Sequence, residues 1–377
     1  MQLTQINLQP YFGGGEVYTA FLSRALAALG VKTRLLAHPQ ATFWKTLDLP
    51  ETIQIERVPE ARRLPDWIGA EDHWLLSHGP MPASLLAVDK PADCLITAIA
   101  HMPVQGRNPS VFSGHRMVFP VSAWVKDGLL AAGIPTWPQP LYGLANLDPL
   151  VAKKDQPIFK TSRYDWDRRK FRDRIGKSLE PLMAPFLPRR EMHRRPGLTL
   201  GIVSRLTPIK QFPRLFSILA PILARHPQIN LEIFGSGGYA SVRDLSRSLQ
   251  PMDKQARFWG HQQNVYAVYV QLDYLMSGLP EKEALGLNII EAQACNLPVL
   301  APLAPPFTET IAEGLTGHFY RDPRQDDGMD FSRLIDELLH ADTRIQPALA
   351  QDHLRKFSFE AFVERLRPVV RWAKDAQ

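Results

Sequence analysis

Cysteine is scarce: Cys94 and Cys295 are the two in 377 residues. They lie far apart and outside any metal-ligand spacing. That excludes a disulfide framework and a zinc cluster, and fits a reducing cytoplasm. Long apolar runs are also missing. None reaches the ~18 residues that would span a bilayer, and the mean hydropathy is −0.18. The opening MQLTQINLQPYFGGGE has no basic stretch leading into an apolar one, so no secretory signal is expected there. Hydrophobic residues at 45% and charged residues at 22% exclude a disordered chain. At roughly 100–200 residues per domain, the length implies two domains, each with its own core. Proline is the one excess, 33 residues or about 9% against a usual ~5%. The prolines are scattered at element ends rather than clustered, and punctuate short loops.

The net charge of +6 is local. Segment 151–195 holds 14 Lys/Arg against 6 Asp/Glu, a net of +8, which leaves 30 basic against 32 acidic residues elsewhere. Its centre, KTSRYDWDRRKFRDRIGK, mixes Tyr164, Trp166 and Phe171 with Arg168, Arg169, Lys170, Arg172 and Arg174. One reading is a solvated helix with pairs such as Asp165 and Arg169 four residues apart. The other is a face for anionic partners. No nucleic-acid motif accompanies it, so lipid is favoured over nucleic acid, and a peripheral position on the inner face of a membrane is the expectation that follows.

Two stretches read as the opening of a parallel α/β sheet. LTQINLQ, PYFGGG, EVYTAFLSRALAALG and VKTRLLAH give strand, loop, helix and strand, with Gly30 closing the helix. LTLGIVS, RLTPIK, FPRLFSILAPILARH and INLEIFG repeat the order 195 residues later. Further buried strands are HWLLSHG, DCLITAIAH and RMVFPVS in the first half, and ARFWG, LDYLMSG and PVLAPL in the second. The fold class expected is α/β, two doubly wound parallel-sheet Rossmann-like domains facing across a cleft. The domains fall at 1–150 and 197–357, with a basic connector over 151–196. The last helix, 358–377, is amphipathic through positions 359, 362, 363, 366, 369 and 370 and could cap either domain.

The segment PEKEALGLNIIEAQACNLPVLA carries the strongest chemical pattern. Its helix is expected to begin near Leu287 and end at Asn296. That places Glu283 in the loop entering the helix and Glu291 one turn inside it. Gly286 frees the backbone there, so unpaired N–H groups can face a ligand. Carboxylates that accept from hydroxyls, beside N–H donors that hold phosphate, describe a site for a sugar joined to a diphosphate. A capped surface helix with two ordinary glutamates is the alternative. In SRLTPIKQ, Arg205 and Lys210 flank a turn above a helix N-terminus, where cations suit a diphosphate. Gly13, Gly14 and Gly15 occupy the matching loop of the first half. Gly235-Ser236-Gly237-Gly238-Tyr239-Ala240 resembles a dinucleotide fingerprint, yet no acidic residue ends the next strand to hold a ribose. His101 ends a strand on the ligand side of a parallel sheet. Asp165-x-Asp167 lies in the basic connector and reads as charge pairing, so no metal site is expected.

Taken together these residues resemble glycosyltransferase family 4, the retaining group 1 type transferases with the two-domain GT-B fold. The resemblance runs through GGGEVYTAFLSRALAALG, FPVSAWVKDGLLAAGIP, LYGL, GIVSRLTPIKQ, LEIFGSGG, FWGH and the Glu283–Glu291 segment with NLPVLAP. It implies that Glu291 accepts from the ribose of a nucleotide donor and that Glu283, with the backbone of Leu285, Gly286 and Leu287, holds the donor sugar. Arg205 and Lys210 would take the diphosphate, helped by Gly14 and Gly15. The loops at Gly235, Gly237 and Gly260 would hold the base, and His101 would face donor sugar and acceptor. The last helix would return to the first domain. Ala284 and Leu285 depart from the family's usual Gly-Phe. The implied activity is transfer from a UDP- or GDP-type sugar to a glycan or lipid-linked acceptor in cell-surface polysaccharide or lipopolysaccharide synthesis, without metal or other cofactor. An epimerase or hydrolase of the same fold and a non-catalytic nucleotide-sugar-binding protein are the alternatives.

Overall fold

The alternating stretch near the start forms β1 (Gln2–Asn7), and its partner after the first helix forms β2 (Lys32–Ala37). Between them the helix Gly14–Ala28 buries Tyr18, Phe21, Leu22, Ala25 and Leu26 and ends where Gly30 takes a left-handed turn. The computed structural model describes residues 2–69, 71–86, 94–104, 106–145, 155–166, 175–176 and 190–376. Four more strands follow in the first half: β3 (Gln54–Arg57), β4 (Trp74–Ser77), β5 (Leu95–Ala100) and β6 (Met117–Pro120). They pair in parallel in the order β3-β2-β1-β4-β5-β6.

The second half builds the same order again from β7 (Leu198–Val203), β8 (Ile229–Phe234), β9 (Ala256–Gly260), β10 (Tyr274–Met276), β11 (Val299–Pro302) and β12 (Gly317–Tyr320). The sheet reads β12-β11-β10-β7-β8-β9. Each sheet is doubly wound. Its strand order reverses beside the first strand, between β1 and β4 in one and between β7 and β10 in the other, and the loops at that reversal open a crevice at the strands' carboxyl ends. In the second sheet β7 and β8 are buried at every position, as parallel strands covered on both faces must be. Leu200, Ile202, Leu231 and Ile233 pack under the helices Phe212–Leu223 and Met329–His340, while Val203, Phe234, Leu275 and Val299 pack with Ile289 and Ala292 on the other face.

The chain divides into two compact units, Met1–Asn146 with Arg355–Gln377, and Leu147–Leu354. The final helix, Phe359–Asp375, lies with the first unit. Phe362 meets Phe21 at 5.0 Å and Tyr18 at 5.8 Å, and Trp372 meets Trp137 at 5.8 Å. Its buried residues are Phe362, Leu366, Val369, Val370 and Ala373, so Phe359 and Val363 sit at the stripe's edge rather than in it.

The described parts of the 151–196 stretch are not a free linker. The Thr161 N–H donates to Trp259 O at 2.8 Å, the Gly237 N–H to Arg163 O at 3.1 Å, and the Asp165 N–H to Gly237 O at 2.8 Å. The stretch thus runs across the ends of β8 and β9. Two of its arginines are consumed internally. Arg195 pairs with buried Glu232 at 2.7 Å, and Arg194 with buried Asp273. Buried carboxylates need such partners, so this part of the positive charge neutralises the chain's own acids. Residues 167–174, which hold most of the aromatic-basic cluster and the Asp165–Arg169 pair's second member, lie outside the described residues.

Candidate active site

In the second unit, the loops at the strand-order reversal carry the charged residues that the sequence singled out. Pro208–Lys210 forms one short turn after β7, and Gln211 takes a left-handed conformation before the helix Phe212–Leu223. The loop after β10 runs alongside it: the Leu279 N–H donates to Lys210 O at 3.3 Å, and a Cβ on Gly278 would lie 2.4 Å from that same oxygen. This close approach brings Lys210 Nζ into a direct ion pair with Glu283, both side chains largely covered. Arg205 stands exposed on the same loop as Lys210. Glu281 pairs with Arg324 and accepts from Gln211 at 3.0 Å, while Arg324 also grips Asp322, so the segment entering the next helix is held from two sides.

That helix, Leu287–Ala294, starts at Gly286, whose φ of 84° is a left-handed turn that favours glycine. Asn288 donates to Val203 O at 3.1 Å and ties the helix start to the end of β7. The N–H groups of Leu287 and Asn288 open the helix at its positive dipole end, while those of Ile289 and Ile290 donate to Gly286 O at 2.9 and 3.4 Å. Leu285 is buried, so it can serve a ligand only through its backbone. Glu291 lies one turn in, accepts from Tyr269 at 3.2 Å, and has its carboxyl pushed up to about 7 by burial. The neighbouring Tyr269 hydroxyl is raised well above its usual range by burial and by Glu291.

The first unit holds a separate polar cluster around the end of β5. His101 does not stand alone. Its Nε2 lies 3.0 Å from Nδ1 of His78, which follows β4, and the rings are nearly coplanar at 13°. His78 Nε2 faces Gln5 Oε1 at 2.9 Å. Burial lowers both imidazoles, His78 well below the ordinary value and His101 to about 4. Gly14 and Gly15 open the helix beside them, and a Cβ on Gly15 would meet nothing within 4 Å. Packing therefore leaves room at that helix start.

The glycines expected to hold a base also let their own loops pack closely. A Cβ on Gly235 would lie 1.9 Å from Ser204 O, one on Gly237 2.1 Å from Leu206 O, and one on Gly260 2.3 Å from Thr161 Oγ1. These three residues let the chain's own loops close on one another, with the connector covering Gly260. His78, Gln5, Tyr269 and the Glu281–Arg324 pair escaped the sequence reading. His78 ends a strand as His101 does, and that shared position was the available signal. Among the described residues, no group of three His, Cys, Asp or Glu could hold a metal ion. Among the same residues, no helix is long and apolar enough to cross a membrane.

Residues 188–352 match the family of glycosyl transferases group 1. The chain is 30% identical over 192 residues to a D-inositol 3-phosphate glycosyltransferase of Corynebacterium efficiens, covering 47% of this chain and 43% of that protein. It is 29% identical over 180 residues to a GDP-mannose-dependent monoacylated alpha-(1-6)-phosphatidylinositol monomannoside mannosyltransferase of Corynebacterium glutamicum, covering 44% and 45%. The chain thus spans less than half the length of these curated relatives. Among solved structures, Anabaena HepE in complex with UDP and glucose superposes with a TM-score of 0.71 at 14% identity, covering 98% of this chain and 99% of that one. Sucrose-phosphate synthase from Thermosynechococcus elongatus gives 0.67 at 16% identity, covering 100% of both chains. At such identity the likeness is one of fold, the two-domain α/β architecture called GT-B.

Proposed function

We propose, from the match of residues 188–352 to the group 1 glycosyl transferases, that this protein moves a sugar from a nucleotide-diphosphate sugar to a glycan or lipid-linked acceptor. The observation that carries the reading is the Lys210–Glu283 pair at the strand-order reversal of the second sheet, beside the start of the helix Leu287–Ala294. A cation, a carboxylate and a helix N-terminus converge where an open α/β sheet binds its ligand. In this reading the diphosphate takes Lys210 and Arg205, the donor sugar takes Glu283 and the backbone of 285–287, and the ribose takes Glu291. The roles of Gly14 and Gly15 toward the donor, and of His101 toward sugar and acceptor, enter the proposal through the family resemblance alone.

The chemistry follows from charge. As the bond from sugar to diphosphate breaks, negative charge grows on the leaving oxygen and the sugar becomes oxocarbenium-like. Fixed cations and N–H dipoles at that oxygen hold the transition state more tightly than the ground state. Those groups can supply the stabilisation that a metal supplies elsewhere, which supports a metal-independent reaction. Retention of configuration, with the leaving phosphate taking the acceptor's proton, is part of the proposal through the family resemblance. So is a role in cell-surface polysaccharide or lipopolysaccharide synthesis. The corynebacterial relatives are named for inositol phosphate and phosphatidylinositol mannoside chemistry, which supports a polyol or lipid-linked acceptor here.

The test is thermal denaturation of the full chain with UDP, GDP and their sugar conjugates, followed by product analysis with and without acceptor lipid or glycan. A nucleotide that binds raises the midpoint by mass action. Transfer to an acceptor is expected. Donor breakdown to free sugar alone would identify a hydrolase, and binding without turnover a non-catalytic protein.

A further inference from the structure

We infer that His78, backed by Gln5, is a positioning residue that fixes His101 as one neutral tautomer, with the proton on Nε2 and a bare Nδ1 that meets substrate as a hydrogen-bond acceptor. The inference deepens the glycosyltransferase reading, and rests on it for the identity of the substrate. The tautomer itself is assigned from hydrogen-bond polarity.

The assignment starts on the helix Gly14–Ala28. The Ser23 hydroxyl lies 2.7 Å from Thr19 O, a carbonyl that can only accept, so its proton is committed there. Gln5 Nε2 is 2.8 Å from Ser23 Oγ and must donate to it, which orients the Gln5 amide with Oε1 toward His78. His78 Nε2, 2.9 Å from that oxygen, therefore carries a proton. A buried imidazole held neutral has one N–H, so His78 Nδ1 is bare. His101 Nε2 stands 3.0 Å from it. Two bare nitrogens at that distance would repel, and the contact is sound only if His101 Nε2 carries its proton. The Thr19 hydroxyl, which accepts from Asn7 at 2.9 Å, can share its own proton between Gly15 O at 2.8 Å and the bare His78 Nδ1 at 3.1 Å. Among the described residues, His101's ring makes no hydrogen bond besides that with His78. The Tyr18 ring, 4.9 Å away and edge-on, supports the imidazole without a polar bond, its hydroxyl being spent on Leu141 O at 2.8 Å.

The consequence is directional. A ring whose proton faces inward along Ser23, Gln5 and His78 can accept from a sugar or acceptor hydroxyl through Nδ1, and cannot donate to it from there. Neutral imidazoles choose their tautomer by the bond the other nitrogen makes. The other charged groups packed on this cluster are Glu16, which accepts from Asn7 at 3.4 Å, and Arg365, whose charge is felt by Tyr18.

The experiment is long-range proton–nitrogen NMR of the full chain labelled at histidine, with His101 assigned by its loss in His101→Asn, alongside donor kinetics. In the wild type, His101 is expected to show a protonated Nε2 and a bare Nδ1, and His78 the same. His78→Phe removes the acceptor: His101 should become a tautomer mixture and kcat should fall roughly tenfold, with donor KM little changed. His78→Gln keeps both polarities, its amide donating to Gln5 and accepting from His101, and should restore the single tautomer and the rate. Should His78→Phe fail to fold, Gln5→Leu loosens the same relay from one step further back. A proton on His101 Nδ1 in the wild type overturns the inference. So does an unchanged rate in a folded His78→Phe. If the wild type transfers no sugar while the tautomer is as stated, it is the glycosyltransferase reading that falls.

Discussion

The ammonium of Lys210 and the carboxylate of Glu283 are joined, so each tempers the charge with which the other would meet a diphosphate sugar. Removing either cation of this loop should act on the transition state. Lys210→Ala and Arg205→Ala are each expected to lower kcat about 10²–10³-fold, the usual loss for one donor at a developing anion. Near-normal turnover in both variants would remove the loop from the site. Glu291 offers a check through pH. Its folded carboxyl is raised to about 7 by burial, so the folded chain holds that proton more tightly than the unfolded chain. Its contribution to stability is complete below the ordinary carboxylate range and is lost as pH rises through about 7. Glu291→Gln should therefore melt higher than the wild type at pH 8 and level with it in mild acid. If ribose hydroxyls donate to this carboxylate, nucleotide affinity should rise with pH across the same interval in the wild type and stay flat in the variant, as titration calorimetry would read. Lys210, Glu283 and Glu291 were legible in the sequence because residue type and spacing fall in one segment or one loop. Tyr269 was not, because it reaches Glu291 from an element 22 residues away whose sequence says only that it is apolar.

Elements were easier to read than their contacts. Every strand named from an apolar run formed, since a buried parallel strand has few other ways to satisfy its backbone and its side chains together. The glycine loop after β8 shows where that reading stops. Its pattern looked like a ligand cradle, and the structure spends Gly235 and Gly237 on contact between adjacent loops. Gly237→Ala would place a methyl 2.1 Å from Leu206 O, against backbone rather than a movable side chain. Overpacking of this kind costs about 1–3 kcal/mol, so a melting point several degrees lower is expected in calorimetry. A variant that melts with the wild type would return these glycines to the ligand. The connector was opaque for a related reason. Net charge does not say which arginines face solvent, and Arg194 and Arg195 turned out to have buried partners.

For the molecule as a whole, the repeat of one strand order in two halves was visible from the 195-residue offset of their openings, whereas the ownership of the last helix came through the family resemblance and not from its own pattern. An amphipathic stripe tells which side is covered and leaves open by what; Phe362 against Phe21 gives the answer. The lipid reading of the basic segment belongs to this scale too, and the internal pairing of two arginines reduces the charge free to serve it. Sedimentation of the full chain with vesicles rich in anionic phospholipid should show binding in low salt that fades as salt screens it. Absence of binding in low salt would end the proposal.

The chain leaves its first unit after residue 146 and rejoins it at residue 355, which sets a timetable for synthesis. The second unit is contiguous and needs nothing from the final helix to close. The first must wait with Tyr18 and Phe21 uncovered until Phe362 and Leu366 emerge. Domains that can close early shield themselves, whereas an unfinished apolar face invites chaperones or aggregation. A chain truncated before residue 355 and released should therefore yield a protease-resistant fragment from its later half and rapid cleavage of its earlier one.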